Sequence, residues 1–94
     1  MRHWIICYDI EDNKERTRIY KCLLRYGTPI QKSVFEVSFP ERKRHLEKDM
    51  IQQLEAIASE YANIRFYNIT ERGKQNSWSF NHDLILNTPG AIII

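Results

Sequence analysis

Hydrophobic and polar positions along the chain follow two periods, and the switches between them mark the elements. "HWIICYDI", residues 3–10, is almost continuously apolar and rich in β-branched and aromatic side chains. Such a run predicts a central strand buried on both faces. Asp12 followed three residues later by Glu15 reads as an N-cap with a capping box. The helix they open places Ile19, Cys22, Leu23 and Tyr26 on one face, with Gly27 to stop it and Pro29 just beyond. Residues 29–39 return to period two, with Val34, Glu36 and Ser38 alternating against Phe35, Val37 and Phe39. They predict either one bent strand or two strands broken near Lys32. Pro40 suits the first turn of a second helix, over roughly residues 40–61, whose inner stripe is Leu46, Met50, Leu54, Ile57 and Tyr61. "NIRFYNIT", residues 63–70, predicts the next strand, "ERGK" a turn, and "QNSWSF" its hairpin partner.

The resulting order points to an α+β, ferredoxin-like β-α-β-β-α-β plan: an antiparallel sheet with two helices on one face. The whole span 1–94 reads as a single domain. Residues 81–94 form a C-terminal tail ending in four apolar residues. That ending predicts an additional C-terminal strand, docked on its own sheet or on the edge of a partner subunit. No apolar run is long enough to span a membrane, and the first one is too short and too quickly followed by charge for a signal peptide. Cys7 and Cys22 have neither metal-ligand nor redox spacing, which fits reduced thiols in a cytoplasmic protein.

Charge changes the picture more than composition does. The net charge is only +2. Residues 1–44, however, hold ten Lys/Arg against six Asp/Glu, and residues 45–94 hold four against six. One basic half hints at a polyanionic partner. Within it, Lys14, Arg18, Lys21 and Arg25 fall at i, i+4, i+7 and i+11, a single stripe along the first helix. The stripe is either a solvated face or a row of phosphate contacts whose affinity salt would erode. Arg16 points elsewhere, nearer the end of the first strand.

Asp9 breaks the apolar pattern at the end of that strand. A carboxylate there is either a polar residue at the rim of the sheet or a cation ligand, because burying it unpaired is costly. Magnesium is typically held by one or two carboxylates plus waters and substrate phosphates. A twofold dimer would bring two copies of Asp9 together, and a shared cation would relieve their repulsion. The three histidines, His3, His45 and His82, show no zinc spacing. No glycine-rich phosphate loop, GxSxG or HExxH is present.

"YDI", then "ERTR", "LLRYG" and "QKSVFE", at these distances, resemble the CRISPR-associated protein 2 family. The resemblance covers nearly the whole chain and is clearest from the first strand through the second helix. It implies a small ferredoxin-like homodimer in which Asp9 and its symmetry copy would hold Mg2+ or Mn2+. Tyr8 would flank the site, Arg16 and Arg18 would match the basic positions after the first turn, and Ser33 and Phe35 would match the "SVF" beside the cleft. It also implies a role in spacer acquisition with the CRISPR-associated protein 1 integrase, on the duplex DNA of the incoming spacer. Some family members act as metal-dependent endoribonucleases on single-stranded RNA, others on double-stranded DNA. Pro29 departs from the family, which often carries an arginine two residues after the "YG" glycine, and this puts efficient cleavage in doubt. Three functions follow: a metal-dependent endonuclease centred on Asp9, a non-catalytic duplex-DNA bridge between integrase dimers, and a toxin-type ribonuclease on the same fold. In each, Lys14, Arg16, Arg18, Lys21 and Arg25 are the candidate nucleic-acid contacts.

Overall fold

The computed structural model describes residues 1–80. Its elements run β1 (Arg2–Asp9), α1 (Asn13–Leu24), β2 (Gly27–Gln31), β3 (Val34–Phe39), a 3₁₀ turn (Glu41–Lys43), α2 (Arg44–Ile57), β4 (Asn63–Ile69) and α3 (Glu71–Gln75). The four strands form one antiparallel sheet in the order β2-β3-β1-β4. This is the ferredoxin-like arrangement. β1 is central, as its apolar run predicts.

Strand alternation decides which side chains meet the helices. Ile6 and Tyr8 of β1 and Phe35, Val37 and Phe39 of β3 join Ile19, Cys22 and Leu23 of α1 and Met50 and Leu54 of α2 in one core. Phe35 is fully buried at its centre. Truncation of such a residue to alanine costs about 3–5 kcal/mol, through lost burial and the cavity left behind. The other face of the sheet carries His3, Ile5, Cys7 and Asp9 of β1, in register with Ile69, Tyr67, Arg65 and Asn63 of β4.

The break near Lys32 is real. Lys32 and Ser33 turn the chain between β2 and β3, with Ser33 at φ 65°. Asp12 caps α1 through its carboxylate, which accepts the Glu15 N–H at 2.8 Å. The reciprocal half of the capping box is absent, because the Glu15 carboxylate instead accepts Ser59 N–H at 2.9 Å. Helix α1 ends at Leu24 rather than at Gly27, which opens β2. A β-carbon on Gly27 would lie 2.5 Å from Val37 Cγ2 and closer still to the Glu36 carbonyl oxygen. Close approach of two strands therefore explains this glycine.

Two expectations are corrected. Helix α2 stops at Ile57, and Tyr61 lies beyond it with 86% of its surface exposed, outside the inner stripe. The predicted hairpin after β4 is a helix instead. The Thr70 hydroxyl accepts the Gly73 N–H at 3.0 Å and caps α3, so "ERGK" turns into a helix rather than back along the sheet. Helix α3 lies at the His3 end of the sheet, where His3 is fully buried between Ser38 Oγ (2.9 Å) and Glu71 Oε1 (2.8 Å). The predicted tail strand at 81–94 falls outside the described residues. Among those residues no helix is long and apolar enough to cross a membrane.

Candidate functional site

The sequence placed Asp9 and Tyr8 side by side in one site, and β1 separates them. Tyr8 belongs to the core, so the alternation of the strand turns Asp9 to the opposite face, away from α1 and α2. Asp9 is exposed at the end of the strand, across from Asn63. Helix α3 meets this face through Glu71 at the His3 end of β1, the opposite end from Asp9.

Among the described residues, two concavities flank this end of the sheet. The larger, about 890 Å³, is lined by Asp9, Glu11, Asp12, Glu15, Ser59 and Asn63, among others. Asp12 is engaged as a helix cap and Glu15 by Ser59, which leaves the Asp9 and Glu11 carboxylates and the Asn63 amide as its open oxygen donors, Asp9 being the carboxylate borne on the central strand. Among the described residues no three His, Cys, Asp or Glu side chains converge to hold a metal. On the same face Arg65 faces Cys7 across the strands and is hydrogen-bonded to Tyr67. This cation near Asp9 carried no sequence signal beyond the period of β4.

The smaller concavity, about 220 Å³, lies on the helix side and is lined by Tyr8, Arg16, Tyr20, Gln31, Lys32 and Ser33 together with Thr17. Here the structure unites three of the expected residues, Tyr8, Arg16 and Ser33. The Tyr8 backbone N–H donates to the Ser33 carbonyl at 3.0 Å, which ties the β2–β3 turn to β1. Burial raises the Tyr8 phenol above its ordinary pKa, with Tyr20 adding to the effect, against a hydrogen bond to Ser33 and the nearby Arg16 charge. Arg16 donates to the Ile10 carbonyl at 3.0 Å and the Glu11 carbonyl at 3.4 Å, and it also contacts Asn13 Oδ1. Its guanidinium thus braces the loop that positions Asp9. Phe35, expected beside the cleft, is instead fully buried in the core and does not line this concavity; its ring packs 5.5 Å from that of Tyr20 between centroids. Tyr20, Gln31 and Lys32 were missed in the sequence. Only the i, i+4 spacing of Arg16 and Tyr20 hinted that they share a flank of α1.

Lys14, Arg18 and Lys21 on α1 and Arg25 at its C-cap are all exposed, and none is ion-paired among the described residues. At 100° per residue they lie on the flank opposite the Arg16–Tyr20 edge.

The family model described as CRISPR associated protein Cas2 matches residues 1–77. The chain belongs to the Cas2 family. It is 36% identical over 73 residues to CRISPR-associated endoribonuclease Cas2 1 of Nitrosomonas europaea, an alignment covering 78% of this chain and 68% of that protein. It is 54% identical over 37 residues to CRISPR-associated endoribonuclease Cas2 4 of Rhodospirillum rubrum, covering 39% of this chain and 30% of that protein. The chain thus matches less than a third of the length of the latter. Among solved structures, a chain of a "Partial Cas6-RT-Cas1--Cas2 complex" is similar over 100% of both chains, at 40% identity and a TM-score of 0.68.

Proposed function

We propose that this chain is the Cas2-type subunit of CRISPR spacer acquisition. In this reading it forms a homodimer that binds nucleic acid and cuts phosphodiester bonds at a divalent-metal site to which each protomer contributes Asp9. The observation that carries the reading is the exposed Asp9 carboxylate at the end of the central strand, on the face opposite α1 and α2. With no three such ligands converging among the described residues, Asp9 suits Mg2+ or Mn2+ shared between two copies and completed by water and phosphate better than a closed site within one chain. Such an ion supplies charge neutralisation at the phosphodiester and acidifies water for attack. The residues of this chain do the rest. Asp9 fixes the position of the site, Arg16 holds the Ile10–Glu11 carbonyls that follow it, and the α1 stripe holds backbone phosphates at a distance from the acidic concavity.

A second reading, a duplex-DNA bridge that assembles with a CRISPR-associated protein 1 integrase without cutting, draws support from the likeness to a chain of a complex whose name includes Cas1. The exposed stripe suits it equally. Cleavage of labelled single-stranded RNA and duplex DNA, with Mg2+, Mn2+ or chelator, separates the two. The nuclease reading predicts metal-dependent cutting that disappears in Asp9→Ala while binding persists. Cutting that survives in Asp9→Ala contradicts it, and binding without cutting in either protein favours the bridge.

A further inference from the structure

The Asp9 reading leaves the smaller concavity without a task, because it opens on the other side of β1. We propose that this cavity binds one nucleotide unit, its base against the Tyr20 ring and its phosphate on Lys32. The inference rests on the nucleic-acid reading above and specifies a preference within it: strands with an unpaired nucleotide.

Size sets the first limit. At about 220 Å³ the cavity is smaller than the roughly 300–1,000 Å³ of sites for drug-sized ligands, so it takes a single unit and no stacked pair. Its chemistry is mixed in the way a nucleotide requires. Tyr20 is 39% exposed, with its inner edge fixed on Phe35, so a ring surface is both available and held in place. Lys32 is exposed at the rim and has no carboxylate partner among the described residues, while Arg16 is committed to backbone carbonyls. Lys32 is therefore the available cation. Gln31 supplies an amide that both donates and accepts, as the edge of a base does.

The turn beneath is also specialised. Ser33 adopts φ 65°, a left-handed conformation that a non-glycine residue enters at a cost, and it is the only non-glycine residue to do so among those described. That conformation keeps Lys32 and Ser33 at the cavity, where the Ser33 carbonyl accepts the Tyr8 backbone N–H. Strain of this kind concentrates where a ligand is held. A base paired within a duplex cannot enter such a cavity, whereas one in a single-stranded end or overhang can.

The test is equilibrium binding of the full chain to a blunt duplex and to the same duplex with a three-nucleotide overhang containing 2-aminopurine. Adenosine monophosphate is titrated in a separate arm. Tyr20→Leu keeps apolar bulk on Phe35 and removes the stacking ring; Lys32→Gln removes the charge. The wild type is expected to bind the overhang duplex roughly 5- to 100-fold more tightly than the blunt one, with quenching of 2-aminopurine. Both variants are expected to lose that preference and keep blunt-duplex affinity. Tyr20-dependent binding of adenosine monophosphate without an overhang preference would also support the cavity, and would identify a free nucleotide as its ligand. An overhang preference unchanged in both variants overturns the proposal, as does the absence of any preference or nucleotide binding while blunt duplex is still bound. Failure of the wild type to bind any nucleic acid or nucleotide overturns the nucleic-acid reading and this one with it.

Discussion

The basic stripe of α1 makes a quantitative prediction about salt. At 1.5 Å per residue, the eleven steps from Lys14 to Arg25 span about 16 Å. Phosphates along one strand of B-DNA advance about 3.4 Å each, so the stripe can face roughly five and contact one with each of its four cations. Each contact contributes about 0.9 to the slope of log affinity against log salt, so losing four lowers its magnitude by about 3.6. Between about 50 and 200 mM salt the wild type should therefore lose about 150-fold more affinity per protomer than a variant without the stripe. The perturbation is the quadruple change Lys14→Gln, Arg18→Gln, Lys21→Gln and Arg25→Gln. All four side chains are exposed and outside the core, so the fold should survive. Fluorescence anisotropy with a labelled duplex at four salt concentrations gives the slope directly. Equal slopes for the two proteins would refute the assignment of the stripe to phosphates and leave it a solvated helix face.

Two further expectations concern the frame around the site. Gly27→Ala forces β2 away from β3 and should cost about 3 kcal/mol or more in urea unfolding; a change below about 1 kcal/mol would show that the strands can separate freely. The hydrogen bond from His3 holds the Glu71 carboxyl below its ordinary pKa. That contribution is present above the ordinary carboxylate value and is lost as pH falls through the depressed one. Wild-type stability should thus fall more steeply than that of Glu71→Gln on acidification from neutral pH, and parallel profiles would exclude a role for the contact.

Most of the frame was legible because its signals are periodic or stereochemical. The central place of β1, the Asp12 cap and the Phe35–Phe39 alternation each survive folding as read, whereas burial of β1 on both faces does not, since Ile5 and Cys7 stay half-buried on the face away from α1 and α2. The errors arose where tertiary contacts override local pattern. Helical spacing continued to Tyr61, but the chain leaves α2 at Ala58, where Ser59 is held by Glu15 from α1. Glycine in "ERGK" suggested a turn, yet a five-residue helix is too short to show a period, and its docking depends on His3, a residue sixty-eight positions away from Glu71. The resemblance put Tyr8 and Asp9 at one site, and only the pleat of β1 shows that they serve opposite faces. It also matched Arg16 to a basic position after the first turn, and in the fold its guanidinium holds loop carbonyls.

The central claim is that two protomers share one cation through Asp9, and metal stoichiometry tests it most directly. Titration of the purified protein with Mn2+, followed by electron paramagnetic resonance and calorimetry, should show one tightly bound ion per two chains, lost in Asp9→Ala. Ion uptake that is unchanged in Asp9→Ala would contradict the claim.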